Sequence, residues 1–250
     1  MRTHSVSAQR GPSNAEAMLA RAAVLGLIAR GFGYPAPGGS SAMRDGFAQL
    51  DGSRARGVFD APLDAAIERA KQAWLETEDD AMGAEYVRLF HGSGPVSLRE
   101  TAYGDGRRPA GRPVELADIN GFYLAFGVEP ADANPDMPDH VSVELEFLSL
   151  MLVKEVYALV RGQRAQHRLT RKAARAFVED HLARWVPSLH NRLEDEKAAP
   201  SYRELGALLA ALLAAECRRL GAQPKPAQGP AMVDDMQAET FTCPLAEPAA

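Results

Sequence analysis

The chain has 250 residues, 46% hydrophobic and 24% charged, with a formal net charge of -5. That is enough apolar material for one large core or two small ones, without the basic excess of a nucleic-acid binder. Its two cysteines, Cys217 and Cys243, exclude a disulfide framework and a four-cysteine zinc site and suit a reducing compartment.

Residues 1–12 are expected to be flexible. The opening stretch lacks the apolar core of a secretory signal. A first helix begins near Ser13, where Ser13 and Glu16 have capping-box spacing, and Gly33-Tyr34-Pro35 stops it. Short helices follow at about 42–51 and 61–77, the second started by Asp60 with Pro62 in its first turn. Another spans about 80–90. Residues 92–112, rich in glycine, form a long loop, and a loop of that length inside a compact domain is often functional. A helix over about 113–126 leads to an acidic, proline-containing connection at 128–138. The next helix, about 139–161, is apolar on all sides and should be buried in a bundle centre. Helices at about 170–195 and 201–220 complete the series, with Cys217 an inert buried thiol in the last. The strongest apolar run, 205–215, is about half the length that a bilayer span requires. Residues 222–250, with five prolines and an exposed Cys243, read as a mostly disordered tail. Strand signals are nearly absent. The expected fold is all-α, a single helical-bundle domain over 13–221, in a cytoplasmic protein without stable membrane insertion.

Charge is unevenly spread. From Glu129 to Glu155 there are seven acidic residues (Glu129, Asp132, Asp136, Asp139, Glu144, Glu146, Glu155) against the single base Lys154. Such a field attracts a basic peptide or cation; the plainer reading is a solvated face. Asp139 suits a helix N-cap after Pro138. Capping does not explain acids inside an apolar helix. Glu144 and Glu146 therefore either pair with arginines from neighbouring helices or line a ligand groove. Upstream, Tyr86, Leu89 and Phe90 end a helix before a Gly/Pro turn at Pro95; they read as core packing or as the lip of a groove. No phosphate loop, dinucleotide fingerprint, metalloprotease motif or nucleophile elbow occurs. His140 and Glu144 share a helical face but are two ligands only. No catalytic residue, metal or cofactor is expected, and the chain is read as a non-enzyme.

Two segments resemble signatures of the TorD/DmsD/NarJ family of redox-enzyme maturation chaperones. One is Tyr86-Val87-Arg88-Leu89-Phe90 followed by a Gly/Pro loop. The other is Pro138-Asp139-His140, continuing to Glu144-Leu145-Glu146-Phe147. Phe177, His181, Leu182, Trp185 and Pro187 are similar to a later family helix. Thr101-Ala102-Tyr103-Gly104, with the segment 116–123, looks most like the branch serving type II DMSO-reductase-like molybdoenzymes. Many relatives have Tyr-Glu-Ser where this chain has Tyr103-Gly104-Asp105. The resemblance implies a cytoplasmic chaperone of the TorD-like all-α type. It would bind the apo catalytic subunit of a molybdopterin-guanine-dinucleotide enzyme, often through its twin-arginine signal peptide, and assist cofactor insertion before export. A receptor for arginines joined to an apolar stretch needs carboxylates beside a greasy wall. Asp139, Glu144 and Glu146 would supply the charge, with His140 orienting a carboxylate or hydrogen-bonding to the peptide. Tyr86, Leu89, Phe90, Pro95 and Tyr103 would supply the wall. The alternative is a helical adaptor or regulator with another protein client. Monomer and dimer both remain open, with the 92–112 loop a possible hinge.

Overall fold

Helix α1 (Asn14–Phe32) opens on the capping box that the sequence spells out: the Glu16 amide donates to Ser13 Oγ at 3.2 Å, and the Ser13 amide donates to the Glu16 carboxylate at 2.7 Å. The computed structural model describes residues 13–104, 111–129 and 137–227. The flexible N-terminus expected at 1–12, most of the proline-rich tail at 222–250, and Cys243 lie outside them. After α1 come α2 (Gly39–Ala55), α3 (Ala61–Leu75) and α4 (Asp79–Phe90). Asp60 caps α3 by accepting from the Leu63 amide at 3.1 Å, with Pro62 in the first turn. A 3-10 turn (Glu100–Ala102) leads to α5 (Arg112–Ala125), then α6 (Val141–Val160) and α7 (Arg164–Phe177). A π turn (Val178–Leu182) joins α7 to α8 (Ala183–Asp195), and α9 (Pro200–Leu220) follows. The fold is an all-α bundle. Among the described residues there is no strand, only one antiparallel bridge between Arg99 and His140.

The core forms where α1 packs on α6, α3 on α9, α7 on α6 and α8 on α9. Fully buried Phe32, Trp74, Leu145, Leu148, Leu209 and Leu212 lie at these seams, each stabilising the fold by about 1.5–3 kcal/mol relative to exposure. Gly206 lets α9 approach α8, since a methyl group there would sit 2.7 Å from Leu193 Cδ1. An ionic knot ties the far end of the bundle. Arg219 donates to Glu155 at 2.9 Å and to Glu216 at 2.8 Å, and Arg171 reaches Glu155 at 3.3 Å.

Several boundaries differ from expectation. α6 starts at Val141, and its N-cap is His140 rather than Asp139, because the Asp139 side chain is engaged elsewhere. Nor is α6 buried all round: Val153, Tyr157 and Val160 are exposed along its outer edge. The helix expected over 170–195 begins at Arg164 and is interrupted by the π turn. Pro187, which has no N–H to give to the turn before it, stands in the helix just after this widened segment. Cys217 is half-buried, with its thiol pKa raised chiefly by burial. The start of the expected tail, 222–227, runs along α8, where the Ala227 amide donates to the Arg184 carbonyl at 2.9 Å.

Candidate functional site

The described start of the predicted loop, residues 92–104, turns inward, and 105–110 lie outside the described residues. Val96, Leu98, Thr101 and Tyr103 are buried, and residues 98–101 run beside the entry to α6. The Val141 amide donates to the Leu98 carbonyl at 2.8 Å, and the Glu100 amide donates to the Asp139 carbonyl at 2.9 Å. Thr101 Oγ1 then donates to Asp139 Oδ2 at 2.6 Å. This short charge-assisted bond takes the carboxylate away from the helix terminus. His140 caps instead, its Nδ1 accepting from the Ser142 amide at 3.3 Å. The sequence placed His140 and Glu144 on one helical face, but His140 stands outside the helix in extended backbone.

Around Asp139 lies a closed cluster of acids. Glu100, Asp139 and Glu144 are buried. Glu144 pairs with no arginine: the Trp185 indole N–H donates to its Oε2 at 3.3 Å, and its Oε1 meets no N–H or O–H donor among the described residues. Burial first, then the charges of Glu100 and Asp139, raise its pKa well above the usual carboxylate range. Burial there disfavours the charged form of Glu144. Glu115, from α5, is pushed up to about 7 by burial and by Glu100. Glu100 also binds His181, whose Nδ1 lies 3.1 Å from one carboxylate oxygen, while Nε2 lies 3.3 Å from Asp118 of α5. Burial lowers the His181 pKa, but the hydrogen bond and charge of Glu100, helped by Asp118 and Glu115, outweigh it and the net shift is upward. Tyr103 covers the other side, its ring 5.1 Å from that of Trp185 and its hydroxyl donating to the Ser97 carbonyl at 2.7 Å. The result is an enclosed, acid-rich chamber whose nearest basic side chain is His181. Among the described residues no group of His, Cys, Asp and Glu is arranged to hold a metal ion.

The predicted residues thus divide. Asp139, Glu144 and Tyr103 meet in this chamber, and His140 caps the helix at its edge. Glu146 faces outward and lines a groove of about 850 Å³ beside α1 and α2, together with Leu19, Ala23, Leu27 and Leu50. Tyr86 and Phe90 belong to a separate aromatic cluster with Tyr202, their rings 5.1–6.5 Å apart, and Leu89 is fully buried. Pro95 lies between the two, its carbonyl accepting from Arg192 Nε at 3.0 Å. Sequence reasoning missed Glu100 and Glu115. The signal available was an acid directly before Thr101-Ala102-Tyr103, but a single glutamate in a loop carries no periodicity.

A family model described as nitrate reductase delta subunit matches residues 57–191, more than half of the chain and a span holding every acid of the chamber. The chain belongs to this family. The delta-subunit family member is 35% identical over 147 residues to the selenate reductase assembly chaperone protein of Thauera selenatis, covering 58% of this chain and 72% of the relative. It is 34% identical over 146 residues to the chlorate reductase assembly chaperone protein of Ideonella dechloratans, covering 58% and 74%. It is 25% identical over 171 residues to the perchlorate reductase assembly chaperone protein of Dechloromonas aromatica (strain RCB), covering 68% and 75%. These relatives are named as chaperones, not catalysts, and this family member is likewise a chaperone and not an enzyme. No helix among the described residues is long and apolar enough to cross a membrane.

Proposed function

We propose that this chain is a cytoplasmic chaperone dedicated to one molybdenum-containing reductase or dehydrogenase. It binds the apo catalytic subunit, through a twin-arginine signal peptide where one is present, and keeps it competent for cofactor insertion before export. The observation that carries this reading is the family match, taken with relatives named for assembling selenate, chlorate and perchlorate reductases.

For the contact surface we propose the acid chamber and its rim. Asp139 and Glu144, with Glu146 outside and His140 at the helix entry, take the guanidinium groups. Tyr103, Pro95 and the separate aromatic cluster of Tyr86 and Phe90, backed by the buried Leu89, form the apolar side of the contact. Asp139 and Glu144 are enclosed, so binding requires α5 to lift. α5 suits that role because it buries fully only Ile119 and Tyr123, while Val114 is 69% and Leu124 66% exposed. Asp139 Oδ1 has no hydrogen-bond partner among the described residues, and a guanidinium would supply one along with the missing positive charge.

Tagged full-length protein should recover a molybdoenzyme catalytic subunit lacking its cofactor. Calorimetry with that subunit's leader peptide should show weaker binding for Asp139→Asn and Glu146→Gln. Capture of an unrelated client in place of a reductase would favour the adaptor reading. Unchanged peptide affinity in both variants, with native circular dichroism, would remove the acids from the contact while leaving the chaperone role intact.

A further inference from the structure

Residues 161–177 contain five arginines and a lysine and no acidic residue, in a chain whose net charge is -5. Two of these cations are engaged: Arg171 turns inward to Glu155 at 3.3 Å, and Arg175 pairs with Glu179 at 3.1 Å. Arg164, Arg168 and Lys172 are exposed and form no ion pair with a described residue. At a spacing of four residues they fall within an arc of about 80° on α7, a continuous basic stripe that the acid chamber neither uses nor explains.

Apolar groups are interleaved with this stripe. At the turn joining α6 to α7, Tyr157 is 57% and Val160 72% exposed, and Arg161 stacks over the Tyr157 ring at 5.5 Å. One turn into α7, Leu169 is 63% exposed, about 60° around the helix from Lys172. Exposed cations next to an exposed tyrosine and exposed aliphatic side chains match the headgroup layer of an anionic bilayer. The guanidinium and ammonium groups would meet lipid phosphates, while Tyr157, Val160 and Leu169 would reach the acyl boundary. A duplex nucleic acid would take the charges but leave the valine and leucine in water.

We infer that the α6–α7 turn and the outer face of α7 form a peripheral docking surface for an anionic lipid membrane, which holds the chaperone and its cargo at the bilayer surface without insertion. This surface is independent of the acid chamber, so it stands whether or not the chamber binds a leader peptide.

The test is co-sedimentation of the purified full-length protein with vesicles of phosphatidylcholine alone or mixed with phosphatidylglycerol. Binding is expected to the mixed vesicles only and to fall as salt is raised. Each cation near such a surface strengthens partitioning roughly fivefold, so Arg164→Glu/Arg168→Glu/Lys172→Glu should reduce it by at least about a hundredfold. Tyr157→Ser/Val160→Ser/Leu169→Ser should reduce it while leaving the salt dependence in place. All six side chains are solvent-facing, and circular dichroism of both triple variants should match the parent. The inference is overturned if the parent ignores phosphatidylglycerol, or if the charge-reversed variant binds equally well. It is also overturned if the apolar replacements change nothing and a DNA duplex is bound as tightly as the vesicles.

Discussion

Trp185 donates its indole N–H to the fully buried carboxyl of Glu144 at 3.3 Å, so an aromatic residue, not an arginine, answers the acid inside the most apolar helix. Trp185→Phe keeps the ring's bulk in part and deletes the donor, leaving a buried acceptor unsatisfied. Urea denaturation should register a loss of about 1–3 kcal/mol. Glu144→Gln should be much milder, within about 1 kcal/mol, because burial already disfavours a charge there and the amide oxygen still accepts from Trp185. Equal damage from the two substitutions would mean that Glu144 carries its charge in the folded protein.

The chamber also sets a pH dependence. Glu115 is raised from 4.5 to about 7 and His181 above 6.5. An acid with a raised folded pKa removes stability as pH climbs from its unfolded value to its folded one; a histidine so raised contributes fully below 6.5 and loses its contribution above it. Both effects have the same sign. The denaturation midpoint should fall as pH rises from 4.5 through neutrality. Glu115→Gln should flatten the stretch between 4.5 and about 7, and His181→Gln the stretch above 6.5. Carboxylates that are lowered, such as Glu85 hydrogen-bonded by Arg88, act below 4.5, so the two groups separate on the pH axis. A parent midpoint that rises across neutrality would contradict this account.

At the opposite end of the bundle Arg219 stands between two buried acids, Glu155 and Glu216. Arg219→Ala leaves Glu155 to Arg171 at 3.3 Å and Glu216 to Arg21 at 3.6 Å, and should destabilise the fold by about 3 kcal/mol. Replacing all three together by apolar residues of similar volume should be far less harmful. Thermal melts of the single and triple variants would distinguish an ionic knot that merely balances itself from one that contributes net stability.

Amide hydrogen exchange should rank the helices. α5 has two fully buried anchors, Ile119 and Tyr123, plus polar ties from Asp118 to His181 and from the Tyr123 hydroxyl to the Pro138 carbonyl at 2.7 Å. Its amides should exchange well before those of α6, whose inner face is core along its length. Simultaneous exchange of α5 and α6 would show that α5 opens only when the whole bundle unfolds.

Much of the fold was legible because local chemistry agreed with tertiary structure. Ser13, Glu16, Asp60 and Pro62 mark helix starts that need no long-range information. The failures have physical causes too. Asp139 is a better intrinsic cap than His140, but a threonine 38 positions away competes for its carboxylate. Residues 164–169 hold almost no apolar side chains, so the amphipathic pattern that announces a helix begins only after the helix has started. Apolar residues on every side of α6 concealed which edge faces solvent. The acids at 139, 144 and 146 were visible as an anomaly. Their surroundings were not, because Glu100, Glu115 and Trp185 come from three distant stretches that only the folded chain brings together.

The bond from Thr101 to Asp139, with the two amide links beside it, fastens both feet of an excursion that begins and ends at one point on the core. Closing a loop of this length carries only a slowly growing entropic cost, so the exposed positions between the feet can vary while Tyr103, Ile119 and Tyr123 stay anchored in the core. The 102–138 stretch, α5 included, is in this sense an exchangeable cassette. Transplanting it between related chaperones should move cargo preference without touching the frame, and a single backbone cut within it should leave two pieces that still hold together.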